Sequence, residues 1–91
     1  MRQSTIAKHL QGGSGTAFAI ALGEEIRRRR LALGLSQADL GEPLSRSFVS
    51  QVEHGRLTPS LLSLLLIASR LGITGAALLA AAEGQPSGRA V

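Results

Sequence analysis

Between Thr16 and Leu33 the apolar positions Phe18, Leu22, Ile26 and Leu33 recur at helical spacing, which predicts a helix with one buried stripe. Thr16 is placed to cap its start with a hydroxyl. Gly34 is placed to end it, because glycine enters the left-handed region without strain. Ser36 opens a short second helix over about Gln37–Gly41. Pro43 must stop that helix, since proline has no N–H to donate and disfavours helical geometry at Glu42. Ser45 caps a third helix, Arg46–His54, which closes on Gly55. Thr58-Pro59-Ser60 opens a fourth, with Pro59 tolerated in the first turn and with Leu61, Leu64, Leu65, Ala68 and Leu71 as its inner face. Gly72 ends it, and Thr74 caps a fifth, alanine-rich helix reaching about Ala82. No segment alternates with a period of two, so no sheet is expected. The expected fold class is all-α: five helices within residues 16–82, between a flexible glycine-rich arm, residues 1–15, and a loose tail, residues 83–91.

The third helix has two chemically distinct faces. At roughly 100° per residue, Phe48, Val49, Val52 and Glu53 fall on one half. Arg46, Ser47, Ser50, Gln51 and His54 fall on the other, within an arc of roughly 140°. That arc holds no carboxylate and carries an arginine and an amide, whose donors and acceptors match base edges in a DNA major groove. A solvated polar face is the plain alternative, but it leaves the short preceding helix and the sharp turn unexplained. Recognition of duplex DNA is the expected role.

Composition agrees with that direction. The chain has 91 residues, enough for one small domain, and 10 Lys and Arg against 6 Asp and Glu, a formal charge of +4. An excess of cations favours a polyanion partner, because each cation placed near a phosphate releases condensed counterions. Cysteine is absent, as are Trp and Tyr, and the aromatic residues are Phe18 and Phe48. That excludes disulfides and thiolate metal sites and argues against stacking platforms for single strands. Arg27–Arg30 lie side by side in sequence but point in four directions around a helix, so they do not form one phosphate patch.

His9 and His54 have no second ligand at metal spacing, so no metal site is expected. Ser36, Ser45 and Ser47 have no base partner at a motif spacing, and Gly12-Gly13-Ser14-Gly15 lacks the Lys-Ser/Thr of a phosphate-cradling loop. Neither catalytic residues nor a cofactor are expected. No apolar N-terminal targeting segment follows Met1-Arg2, and the run Leu64–Ala68 is far short of the ~20 residues that cross a bilayer. A cytoplasmic protein without a membrane partner is the expectation.

Five blocks in order carry a family resemblance: Leu22, Ile26 and Arg30; Gly34-Leu35-Ser36-Gln37; Val49-Ser50-Gln51 with Glu53 and Gly55; Pro59-Ser60-Leu61; and Ile67-Ala68 with Leu71-Gly72. Over about residues 20–80 the chain resembles the lambda-repressor-like helix-turn-helix family, which includes phage repressors, Cro and xenobiotic-response-element type regulators. The resemblance implies a compact five-helix DNA-binding domain with the helix-turn-helix at helices 2 and 3 and the third helix in the major groove. It also implies that Arg46, Ser47, Ser50 and Gln51 reach bases. Ser36 and Gln37, at the start of the second helix, and Arg56 and Thr58, in the loop after the third, would touch phosphates. His54, at the end of the third helix, is read with them. Arg30 matches the family position that pairs with Glu53, itself at the edge of the buried face, where a lone carboxylate is costly.

Two positions depart from the family. Glu42-Pro43-Leu44 replaces a longer connection, so the turn is expected to be tighter. Leu62 and Leu66 stand where charged residues are usual; with Leu79 on the uncharged fifth helix they are expected to form a homodimer interface. The function expected from these readings is sequence-specific transcriptional regulation by a dimeric repressor. With no effector domain expected after the fifth helix, the repressor would act by covering its operator. An antitoxin-type autoregulator with a toxin partner, or an adaptor that keeps the fold without reading DNA, are the alternatives.

Overall fold

The computed structural model describes residues 14–84. They form five helices: α1 (Ser14–Ala32), α2 (Gln37–Gly41), α3 (Arg46–Glu53), α4 (Leu61–Leu71) and α5 (Gly75–Ala82), and there is no strand among the described residues. The expectations for residues 1–13 and 85–91 lie outside the described residues.

Most helix starts are set by side-chain oxygens taking N–H groups that have no intrahelical acceptor. Ser36 Oγ accepts from the Asp39 N–H at 2.9 Å while Asp39 Oδ2 accepts from the Ser36 N–H at 2.9 Å, a reciprocal capping box. The Ser36 N–H and then its hydroxyl hold the exposed Asp39 carboxyl below its ordinary value. Ser45 Oγ caps α3 through the Phe48 N–H at 2.9 Å, and Thr74 Oγ1 caps α5 through the Ala77 N–H at 3.0 Å.

Four local expectations need correction. The first helix begins at Ser14, inside the residues read as a flexible arm, so Thr16 is a helical residue and not the cap. One glycine in a first turn, at Gly15, weakens a helix without breaking it. Pro59 precedes α4, whose cap is Ser60, with Oγ accepting from the Ser63 N–H at 3.2 Å. Leu33 is exposed because α1 has ended: the Gly34 N–H bonds to Leu31 O and the Leu35 N–H to Arg30 O, a turn that lifts Leu33 off the buried stripe.

The fourth correction concerns the face of α4. Leu64, Ile67, Ala68 and Leu71 are buried, whereas Leu61 and Leu65, expected inside, are 70% and 46% exposed. The true inner face is rotated by roughly 50° from the expected one, half a residue step. In Leu61-Leu62-Ser63-Leu64-Leu65-Leu66-Ile67 almost every position is apolar, so hydrophobicity alone does not locate the face.

One core joins all five helices: Leu22 and Ile26 of α1, Leu40 of α2, Val49 and Val52 of α3, the four buried residues of α4, and Leu78 and Ala82 of α5. α1 packs on α3 and α5, α2 on α3 and α4, and α4 on α5. Two glycines set how closely α1 meets the C-terminal end of α3. A Cβ on Gly23 would drive into the carbonyl oxygens of Val52 and Glu53. Gly55 has φ +72°, and a Cβ there would meet Ile20 Cγ1 at 2.8 Å and Ile20 Cα at 3.0 Å. Both positions exclude any side chain, the second on conformational grounds as well. Among the described residues no single helix is long and apolar enough to cross a membrane.

Candidate nucleic-acid interface

α3 is held against the core by Val49 and Val52, with Phe48 half-buried beside them. This fixes its rotation and turns the opposite arc outward. Arg46, Ser47, Gln51 and His54 are exposed and Ser50 is half-buried. α2 packs beneath α3, with Gly41 so close that a Cβ would lie 3.0 Å from Val49 Cγ2. The residues Gln37, Ser45, Arg46, Ser47, Ser50, Gln51 and Arg56 thereby line one open groove of about 670 Å³. The groove contains two arginines, two amides and three hydroxyls and no carboxylate, so its lining offers donors and acceptors and its net charge is positive. That chemistry suits an anionic, hydrogen-bonding polymer.

The other candidate residues sit at the margins. Ser36 uses both its N–H and its Oγ in the cap of α2 and is not part of the groove lining. Arg56 and Thr58 are exposed in the loop after α3, where the Arg56 N–H is spent on Gln51 O at 2.9 Å. His54 Nδ1 lies 2.8 Å from Ser50 O. A carbonyl oxygen only accepts, so that nitrogen carries the hydrogen and Nε2 is left as the free one. His9 lies outside the described residues, among which there is no group of three or more potential metal ligands.

Behind the groove, Arg30 and Glu53 make a bidentate contact. Arg30 Nε donates to Glu53 Oε2 at 2.7 Å and Nη2 to Oε1 at 3.1 Å, with the Glu53 side chain fully buried. Arg30 Nη1 also donates to Leu35 O at 2.8 Å, tying the end of α1 to the start of the helix-turn-helix. Sequence reasoning missed a third member: Gln37 Nε2 donates to Glu53 Oε1 at 3.0 Å. The signal was present, because a buried carboxylate has room for more donors than one guanidinium fork supplies. Elsewhere on α1, Glu25 binds Arg28 and Arg29 at 2.5 and 2.6 Å. Burial works to raise its pKa, but hydrogen bonds from Arg28 and Arg29, and their charges, outweigh it and hold the carboxyl below the ordinary value.

The expected interface leucines are not alike. Leu62 is 68% exposed, Leu66 is half-buried, and Leu79 packs against the core. The exposed large apolar side chains among the described residues are Ile20, Leu31 and Leu33 of α1 and its end, and Leu61, Leu62 and Leu65 of α4, with Leu65 lying over Gly75 at the start of α5.

A helix-turn-helix family model matches residues 26–78, from the C-terminal part of α1 through the middle of α5. The structure is similar to that of the restriction-modification controller protein C.AhdI from Aeromonas hydrophila, with 37% identity, TM-score 0.65 and coverage of 69% of this chain and 94% of that one. It is also similar to the clp gene regulator ClgR from C. glutamicum, with 29% identity, TM-score 0.68 and coverage of 77% and 94%. No curated protein sequence matches the chain.

Proposed function

Because the chain belongs to the lambda-repressor-like helix-turn-helix family of DNA-binding transcription regulators, which are not enzymes, we propose that it is a sequence-specific dimeric repressor. α3 enters the major groove, and Arg46, Ser47, Ser50 and Gln51 read bases. Gln37, Arg56, Thr58 and His54 contact the backbone to either side, and the Ser36 hydroxyl reaches a phosphate only where its cap allows. The observation that carries this reading is the carboxylate-free groove that joins the outer arc of α3 to Gln37 and Arg56. C.AhdI is a controller protein and ClgR a gene regulator, which supports the same role here in a cytoplasmic setting.

Dimerisation rests on the leucines of α4. Leu61, Leu62 and Leu65 are all exposed within one turn of one helix, and burying one leucine there is worth roughly 1.5–3 kcal/mol. A two-fold pair through this surface presents two copies of α3 to successive turns of DNA. The same leucines favour the second reading, an antitoxin-type autoregulator or an adaptor that holds another protein.

Selection of bound duplexes from a random pool tests the proposal. A repressor dimer enriches a palindrome with half-sites about one helical turn apart, bound at least roughly 10³-fold more tightly than random duplex. A pool that shows no enriched sequence overturns sequence-specific repression and leaves the adaptor.

A further inference from the structure

We propose that Glu53 is a positioning residue for DNA binding and that it acts through Gln37. This rests on the reading of the α3 groove as the DNA site. Glu53 does not line that groove, and its side chain has no exposure at all. Gln37 does line it, and its Nε2 donates at 3.0 Å to Glu53 Oε1. One half-buried amide therefore touches the groove on one side and a buried anion on the other.

The carboxylate decides which way that amide faces. A glutamine with only solvent around it presents oxygen or NH2 with almost equal ease. Against a carboxylate, which only accepts, the oxygen end is repelled and the NH2 end is held. One Nε2 hydrogen is committed to Glu53 and the other remains. A DNA phosphate also only accepts, so that remaining hydrogen is the one the backbone needs. Ordering a flexible side chain on binding carries an entropic cost, and Glu53 has already ordered this one in the free protein.

Arg30 completes the device. A bare carboxylate behind a phosphate contact would repel the DNA. The two bonds from Arg30 at 2.7 and 3.1 Å neutralise that charge and leave Oε1 able to accept from Gln37 as well. The arginine thus holds the glutamate, and the glutamate holds the glutamine that meets the DNA.

A binding cycle on a mixed-sequence duplex of about 20 base pairs tests this without knowledge of the operator, since phosphate contacts also operate on non-specific DNA. The double replacement Arg30→Met/Glu53→Met removes both charges and fills the space, a change that buried pairs often tolerate. In the wild-type background it is expected to weaken binding by about three- to tenfold, the cost of ordering Gln37 on contact. The salt dependence should not change, because no cation leaves the backbone. In a Gln37→Ala background the same replacement should cost nothing. Equal losses in the two backgrounds would overturn the proposal by showing that the pair acts on helix placement alone. If the double variant does not fold, the wild-type protein still decides the matter by side-chain NMR. A Gln37 amide order parameter near the rigid value of about 0.85 supports the proposal, and one below about 0.6 overturns it. Arg46→Ala and Arg56→Ala are the controls: if both bind the duplex as wild type does, the groove is not the DNA site, whatever the state of the Gln37 amide.

Discussion

α2 and α3 on one side, and α4 on the other, meet water in opposite ways. Around α2 and α3, Ser36 and Asp39 satisfy each other, Ser45 caps α3, and Glu53 is enclosed by Arg30 and Gln37. α4 instead presents Leu61, Leu62 and Leu65 to solvent. The first region is organised by directional bonds, each of which specifies a partner and an angle. The second is organised by burial, which has no direction and is satisfied by whatever apolar surface arrives. A region of the first kind suits reading a fixed chemical pattern. A region of the second kind suits pairing with another apolar face.

The contrast is most strongly challenged by breaking the buried pair. Glu53→Ala or Arg30→Ala is expected to destabilise the fold by about 3–5 kcal/mol, because each leaves an unpaired charge inside. Denaturant unfolding measures this, and a loss below about 1 kcal/mol would mean that burial alone holds α1 to α3. Crowding the same contact by Gly23→Ala should cost about 1–3 kcal/mol in the same experiment through forced separation of the two backbones.

On the selected DNA site, Arg46→Ala and Gln51→Ala should each cost about 1–3 kcal/mol and relax preference at one base position. Arg56→Ala should weaken all duplexes alike and reduce the salt slope by about one. The two kinds of loss, read by titration at several salt concentrations, sharpen the division between reading and positioning. For α4, Leu61→Glu/Leu62→Glu, at its two most exposed leucines, should leave folding stability within about 0.5 kcal/mol, as exposed substitutions do, while sedimentation shifts from dimer to monomer. A folded variant that remains dimeric would move the interface elsewhere.

The smallest effect is at Asp39. Its folded pKa lies below the ordinary 3.8, so its contribution is fully present above that value and is lost as pH falls through the lower folded one. Asp39→Asn should therefore narrow the stability difference from wild type only under acid conditions below about pH 4.

Directional chemistry was also what made the chain readable. Ser36, Ser45 and Thr74 announce helix starts because a hydroxyl before an apolar-periodic run has one good use, and α2 and α5 occupy the spans they imply. The polar arc of α3 was legible because Val49, Val52 and Phe48 leave one possible inner face. The leucine run of α4 carried no such contrast, so its rotation was settled only by packing against α2 and α5. Leu33 went astray because a turn at Gly34 uses Leu33 as its last pivot. The Gln37–Glu53 bond spans 16 residues, and no local rule connects them.

The absence of a side chain at Gly23 has a mechanical consequence. With the backbone of α1 seated against the last carbonyls of α3, the C-terminal end of α3 has no cushion of side chains on which to rock. A rigid probe leaves accommodation to the more compliant body, and in the encounter proposed for α3 that is the double helix. Bending and twisting costs depend on base-step identity even where nothing is touched. Sequence preference is therefore expected to extend into flanking base pairs beyond the reach of Arg46 and Gln51, set by how willingly each step deforms.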